Sequence, residues 1–217
     1  MKDTFKHQGK RKNLCKILAE KGIENKKILD VFNALPRHWF LPAEFQDHAY
    51  QDKAFPIDNK QTISQPYTVA YQTQLLNIKP RDKVLEIGTG SGFQAAVLCM
   101  LNANLTSIER HEQLHYQAKD MLDKLNLKAT LILADGTLGY RTNAPYDKIL
   151  VTAGAPNVPN EYIKQLKVGG NIVIPVGKDK SKQKMILGTK MSNGTLDYSI
   201  KGDFKFVPLL GKKGWEE

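Results

Sequence analysis

Ten residues, Val84-Leu85-Glu86-Ile87-Gly88-Thr89-Gly90-Ser91-Gly92-Phe93, constrain the rest of the chain more than any others. An apolar run carrying one acid ends in glycines at every second position, and a helical pattern follows from Gln94 to Leu101. The simplest reading is a strand, a tight turn and a helix start. Glycine reaches positive φ and lets a ligand approach bare backbone, while the first helical turn offers unpaired N–H groups. A nucleotide-like cofactor is the natural occupant, although strand-turn-helix joints also use glycine for structure alone.

The remaining chain has to accommodate such a unit. Its 217 residues fit one large domain, or one domain with an extension. No stretch approaches the roughly 18 apolar residues of a membrane span. The start, Lys2-Asp3-Thr4-Phe5-Lys6-His7-Gln8, lacks the apolar stretch of a secretion signal. Cys15 and Cys99 each sit in an apolar helical pattern, which supports neither a disulfide framework nor a cysteine-rich metal site. A cytoplasmic protein without a bound metal is expected.

The net charge of +10 is unevenly spread. Residues 1–27 hold nine Lys/Arg against three Asp/Glu, and residues 178–184 add four lysines against Asp179. Such an excess can steer nucleic acid or acidic protein segments. A solvated helix face and a surface loop are the simpler account of it. No aromatics interleave with these lysines in the sequence as base stacking would require.

In chain order, Leu14, Ile17 and Leu18 share one helix face, with Gly22 placed to stop it. Asn25 can cap a second helix bearing Ile28, Leu29, Phe32 and Leu35, which Pro36 ends. Residues 36–61 show no clean period but carry Trp39, Phe40, Phe45, Tyr50 and Phe55, too aromatic to be a solvated linker. After Gln61-Thr62-Ile63-Ser64-Gln65-Pro66-Tyr67 a helical pattern runs through Val69, Tyr71, Leu75 and Leu76. Ser64, two residues before Pro66, suits a helix N-cap.

From Lys83 the pattern alternates. Strands are expected at 83–87, 105–109, 129–134, 147–152 and 171–176, with helices at 93–101, 111–125 and 158–167 between them. Ile149-Leu150-Val151 and Ile172-Val173-Ile174 are apolar on both faces, as in a sheet covered by helices. Later strands are expected at 184–190 and 198–207 around a hairpin turn at Ser192-Asn193-Gly194-Thr195. The expected fold is α/β: a Rossmann-like, doubly wound, mostly parallel sheet with antiparallel C-terminal strands. We expect one domain over 1–217. It comprises a helical and irregular N-terminal extension at 1–61, a cofactor-binding core at 62–177, and antiparallel strands and a tail at 178–217.

Three acids fall at consecutive strand ends, the ligand edge of such a sheet. Glu86 lies two residues before the first glycine, and Glu109 lies 21 residues beyond Gly88. An acid at that distance can take two ribose hydroxyls. Asp135-Gly136 ends the third strand, where it could face a base. The spacing G-x-G-x-G differs from the G-x-G-x-x-G of dinucleotide sites, and no P-loop lysine motif follows. Acid-x-G-x-G-x-G, a ribose acid and late antiparallel strands resemble methyltransferases that use S-adenosylmethionine. Glu86 then makes sense near the cationic methionine end of that cofactor.

The fourth strand ends in Val151-Thr152-Ala153-Gly154-Ala155-Pro156, without the Asn/Asp-Pro-Pro-aromatic motif that orients a target amine. No Pro-Cys nucleophile appears either. An acceptor already nucleophilic at pH 7 suits such a site, and a carboxylate, with a pKa of about 4, is one. Catalysis would then rest on positioning.

With Thr62-Ile63-Ser64-Gln65-Pro66-Tyr67, Val84–Gly92, Ile149-Leu150-Val151-Thr152-Ala153, Gly169-Gly170, Ile174-Pro175-Val176-Gly177 and Phe204–Leu209, the chain resembles the protein-L-isoaspartate O-methyltransferase family. His7-Gln8-Gly9 and Leu35-Pro36-Arg37 extend the resemblance into the first third. It implies methyl transfer from S-adenosylmethionine to the free carboxylate of L-isoaspartyl residues in damaged proteins and peptides, leaving S-adenosylhomocysteine. The methyl ester would then collapse to a succinimide. The resemblance makes Ser64 the catalytic position, orienting the substrate carboxylate, with Thr62, Ile63 and Val207 lining the same substrate pocket. It places Glu86, Gly88, Thr89, Gly90, Gly92, Glu109, Arg110, Asp135 and Gly136 at the cofactor. Phe93 stands where tyrosine is common, Gly154 interrupts what is often an alanine run, and the tail from Leu210 is less typical.

Isoaspartyl proteins and peptides are the expected partners of a monomer, with no stable nucleic-acid partner. Another methyltransferase, acting for example on RNA, is supported only by the charge. A catalytically idle cofactor-binding module would show a degraded loop or a lost serine, and a dehydrogenase is disfavoured by the glycine spacing and Glu86.

Overall fold

The computed structural model describes residues 2–216; Met1 and Glu217, the ends of the expected 1–217 span, lie outside the described residues. Helix α1 (Phe5–Glu20) starts at Thr4, whose side chain and that of His7 cap each other's backbone. Its end at Glu20 is followed by Gly22 in the left-handed region (φ +92°). Helix α2 (Lys26–Ala34) is capped as expected by Asn25, whose side chain accepts from the amides of Lys27 and Ile28. The stretch after Pro36 folds into 3-10 turns at Arg37–Phe40 and Ala43–His48, burying Phe40, Leu41, Ala49 and Tyr50. It is packed, not a linker.

Two short strands, β1 (Phe55–Pro56) and β2 (Thr62–Ile63), pair antiparallel and set the entry to helix α3 (Pro66–Leu76). Here the structure corrects one expectation: the N-cap is Gln65, not Ser64, and it makes no side-chain cap bond. Pro66 takes the first helical position, which moves the boundary one residue on and leaves the Ser64 side chain outside the helix.

The alternating part gives β3 (Lys83–Ile87), α4 (Phe93–Met100), β4 (Asn104–Glu109), α5 (Glu112–Lys124), β5 (Thr130–Leu133), β6 (Tyr146–Val151), α6 (Asn160–Gln165), β7 (Leu166–Asp179), β8 (Lys182–Lys190) and β9 (Leu196–Phe204). The sheet order is β5-β4-β3-β6-β7-β8-β9. Strands β3 to β7 run parallel, while β8 and β9 run antiparallel to their neighbours. β7 is longer than expected at both ends. It begins directly after α6, with a register irregularity against β6, where a helix to residue 167 and a strand only from 171 were expected.

Alternation along the strands splits the core between two faces. Val84, Leu105, Leu150, Val173 and Met185 pack with Leu14, Phe32, Val69 and Phe93 from the helices, so α1 and α2 join the same core as α3 and α4. Leu85, Ile87, Ile149, Val151 and Ile174 pack on the other face with Tyr162 of α6. Each such fully buried side chain contributes about 1.5–3 kcal/mol. Strand order reverses at β3, whose neighbours β4 and β6 precede helices on different sides, and its carboxyl end is where a ligand crevice forms.

Candidate active site

The cavity at that carboxyl edge is lined by the glycine loop, the ends of β4 and β6, Gly136 after β5, the β2 segment and Val207–Leu210. All three glycines of the loop lie in the left-handed region, and two of them are also hemmed in by neighbours. Gly88 (φ +93°) passes so close to β6 that a Cβ would lie 2.5 Å from Thr152 Oγ1, and one on Gly92 (φ +83°) would meet Ala118 Cβ at 3.1 Å. The loop is thus clamped between β6 and α5.

Glu109 closes the loop from the neighbouring strand. Its Oε2 accepts from the Gly90 amide at 2.8 Å, and its Oε1 accepts from the amides of Arg110 and His111 at 2.9 and 3.0 Å. Thr152 Oγ1 donates to the carbonyls of Ile87 and Gly88, so its hydroxyl is committed to the loop and cannot orient an incoming amine.

Of the expected site residues, Thr62, Ile63, Ser64, Gly88, Thr89, Gly90, Glu109, Arg110, Gly136 and Val207 line the cavity together. Glu86, Gly92 and Asp135 are not among its lining residues. Glu86 alternates with Leu85 and Ile87 and therefore points beneath α4, where it is fully buried. Its Oε2 accepts from Ser107 Oγ at 2.5 Å, Ser107 in turn bonds Thr89 Oγ1 at 2.6 Å, and Oε1 has no partner. Burial pushes its carboxyl up to about 8, against the Ser107 hydrogen bond and with the Glu109 charge. An expected contact with a cationic cofactor becomes a support for Thr89 from within the core.

Asp135 is taken by the chain's own tail. Its Oδ1 accepts from the amide and hydroxyl of Thr137, and its Oδ2 accepts from the Lys212 amide at 2.9 Å. Burial alone would raise its pKa, but these hydrogen bonds outweigh it and hold the carboxyl below its usual value. The tail that is atypical in sequence is therefore anchored here, helped by the Lys213 amide donating to Thr137 Oγ1.

Ser64 is half-buried, and its carbonyl accepts from Arg37 Nη2 at 2.9 Å. Arg37 is 1 % exposed, donates from Nε to Ala49 O at 3.0 Å, and lies 4.8 Å over the Phe93 ring. The first residue of α4 and the serine are thus held by one side chain. The irregular N-terminal extension is what fixes the serine segment to the glycine loop.

Sequence reasoning missed Gln72 and Gln94, which also reach the cavity. Gln72 Nε2 donates to Val151 O at 3.0 Å, and Gln94 Nε2 donates to Thr73 Oγ1 at 3.0 Å while its buried Oε1 has no partner. Both amides sit in helical patterns, where glutamine reads as a solvent-facing residue. Gln183 was also missed. It is 1 % exposed, accepts from the Phe206 amide at 2.8 Å, and donates to the carbonyls of Asp179 and Lys180 at 3.0 Å each. It fits only because position 154 is glycine, where a Cβ would lie 2.8 Å from its Cδ. Gly154 also pairs with the Val207–Leu209 segment and accepts from Trp215 Nε1.

This frame matches known proteins over its whole length. The protein-L-isoaspartate(D-aspartate) O-methyltransferase family model matches residues 9–214. The chain belongs to this family. A protein-L-isoaspartate O-methyltransferase of Christiangramia forsetii is 54% identical over 98% of this chain and 100% of its own length. A solved protein-L-isoaspartate O-methyltransferase superposes with a TM-score of 0.86 at 28% identity, covering 94% of this chain and 67% of its own. A further one from Plasmodium falciparum, described as a putative member in complex with S-adenosyl-L-homocysteine, shares the fold at a TM-score of 0.78 and 21% identity, covering 92% and 98%. The seven-stranded sheet with its antiparallel end is thus the family's methyltransferase fold.

Proposed function

We propose that this chain transfers the methyl group of S-adenosylmethionine to the free carboxylate of L-isoaspartyl residues in damaged proteins and peptides. The observation that carries the reading is a junction. Thr62, Ser64, Thr152, Val207 and Pro208 form the wall between the loop-lined cavity and an open groove. A carboxylate on a chain lying in the groove meets the cavity there.

The donor set fits the cofactor. Glu109 keeps an acceptor site on Oε2 for a ribose hydroxyl, Gly88–Gly90 offer backbone to the methionine portion, and Gln94 offers an unpartnered buried oxygen. Arg110 and Gly136 lie toward the base, while Glu86, Gly92 and Asp135 stand outside the lining. Bound S-adenosylmethionine supplies a methyl group activated by a positively charged sulfur. Ser64 Oγ donates to the substrate carboxylate and fixes one oxygen for in-line approach, with Thr62, Ile63 and Val207 restricting its rotation. That oxygen's lone pair forms the new C–O bond while the C–S pair returns to sulfur, giving S-adenosylhomocysteine. No proton has to move, so no general base is required. The ester then closes to a succinimide with loss of methanol.

The same reading takes residues 1–217 as one methyltransferase domain, since α1 and α2 share the core of α4. It takes the protein as a cytoplasmic monomer without a stable nucleic-acid partner; the unpaired thiols of Cys15 and Cys99 suit a reducing compartment. The test is an isoaspartyl peptide and its aspartyl twin, each incubated with methyl-labelled S-adenosylmethionine. A base-labile ester on the isoaspartyl peptide alone is expected. Equal labelling of both, or of neither, would overturn the reading.

A further inference from the structure

The groove beyond Ser64 encloses about 1100 Å³ and is bounded by α3, the β7–β8 turn and the segment from the end of β9 to Pro208. One wall is a run of rings. Tyr67 stacks on Tyr71 (centroids 5.5 Å apart, planes 16° apart) and Tyr71 on Phe204 (5.7 Å, 18°). The Tyr71 hydroxyl donates to Lys201 O at 3.0 Å. Rings stacked on one another spend their faces internally and give side chains an apolar wall, not open platforms for nucleobases.

The rim is cationic. Lys180, Lys201 and Lys205 line it, and Lys182 and Lys184 stand next to it on β8. Lys180 lies 5.6 Å over the Trp215 ring and donates to Glu216 O, a neutral carbonyl. Among the described residues, Asp203 and Asp179 stand beside these lysines on β7–β9 and both are engaged, and Glu216 meets Lys180 through its carbonyl. Asp203 pairs with Lys184 at 3.1 Å and Lys182 at 3.5 Å, while Asp179 accepts from the Ser181 amide at 2.7 Å. Neither is left to attract a basic residue. This is the lysine run at 178–184 brought beside β9, at the edge of the sheet.

We propose that this groove selects substrates by the charge of the residues flanking the isoaspartyl site, binding acidic flanks and disfavouring basic ones, with Lys180, Lys201 and Lys205 as the specificity-determining residues. The proposal rests on the carboxyl-methyltransferase reading above. The carboxylates of the flanks would sit on exposed ammonium groups while their stems lie along the ring wall, so the preference appears in binding and is screened by salt.

The experiment compares three isoaspartyl peptides, with acidic, neutral and basic flanks, in steady-state methylation. For two or three exposed charge contacts, KM is expected to be about three- to tenfold lower for the acidic than for the basic peptide, with similar kcat. The gap should close as salt rises from about 0.05 to about 0.5 M. The double variant K180E/K205E should reverse the order, with its circular dichroism and Tm, read separately, reporting that the variant is folded. Equal KM values, or a preference for basic flanks, would overturn the inference and leave the isoaspartyl reading standing. So would a single-stranded RNA oligonucleotide that competes better than the acidic peptide. Methylation of none of the three would overturn the isoaspartyl reading, and this inference with it.

Discussion

Arg37 Nη2 donates to the carbonyl of Ser64 at 2.9 Å, from a guanidinium that is otherwise enclosed between Ala49 O and the Phe93 ring. A buried cation is costly unless its donors are used, and here two are spent on backbone carbonyls of irregular segments. Arg37→Met removes both donors at once. Unpaired buried carbonyls cost about 1–3 kcal/mol each, so Tm should fall by roughly 2–4 °C for every kcal/mol lost. In protein still folded at the assay temperature, kcat for an isoaspartyl peptide should fall more than cofactor affinity. Thermal unfolding and cofactor titration calorimetry together check this; unchanged kcat would mean that Ser64 is placed without Arg37.

Ser64→Ala tests the hydroxyl itself. Losing one hydrogen bond to a charged group, worth about 1.5–3 kcal/mol, should lower kcat about 10- to 100-fold. The dissociation constant for S-adenosylmethionine should stay within about twofold, since Ser64 lies where cavity and groove meet and its proposed partner is the substrate carboxylate. Collapse of cofactor binding would place the serine wrongly.

Glu109→Ala should show the opposite pattern. The carboxylate accepts from three backbone amides, Gly90, Arg110 and His111, and faces the cavity. Removing it frees the loop and deletes the proposed ribose acceptor, so cofactor affinity should weaken about 10- to 100-fold. Calorimetry measures this directly, and affinity within twofold of the parent would exclude Glu109 as a ribose ligand.

The buried carboxyl of Glu86 gives a stability profile with a definite slope. Its value rises from 4.5 to about 8 on folding, because burial disfavours the charged form. Below the unfolded value both states hold the proton. As pH rises from there towards about 8 the unfolded chain releases it first, so stability conferred at low pH is progressively lost. Glu86→Gln, neutral at every pH, should flatten this decline. The observable is Tm between about pH 5 and 8.5, and parallel curves for parent and variant would show that Glu86 is charged in the native protein.

Asp135→Ala should release the tail. The Lys212 amide loses its acceptor, and the Thr137 amide and hydroxyl lose theirs. Hydrogen exchange at Lys212 and Lys213 should quicken by about tenfold or more, as expected when local opening becomes about 1.4 kcal/mol cheaper. Exchange unaltered at both would mean that the tail is held elsewhere.

How much of this was legible depended on whether the signal was periodic. Strands β3 and β4 were readable because apolar runs ended in glycine or acid, β6 because Ile149-Leu150-Val151 is apolar on both faces, and the Ser192–Thr195 turn because glycine marks it. The site was readable as positions along strands, but not as directions of side chains. Glu86 and Asp135 were expected on the cavity wall because they lie at strand ends. Alternation turns Glu86 under α4, and the tail claims Asp135. Nothing local could reveal the second effect, since Asp135 and Lys212 are 77 residues apart. Ser64 was readable only through resemblance, because its spacing to Pro66 equally suggested a cap. Arg37, Gln94 and Gln183 were opaque because polar residues in irregular or helical stretches read as solvent-facing.

Gly154 and Gln183 carry a consequence for how such sequences change over time. The absent methyl group at one position is the space filled by the amide at the other, and that amide ties the β7–β8 turn to Phe206. Alanine at 154 is incompatible with glutamine in this rotamer at 183, and a shorter residue at 183 strands the Phe206 amide. Neither position can drift alone without loss, so the two should be inherited as a pair. Chains that carry alanine at 154 should tie this turn to the strand by some other residue.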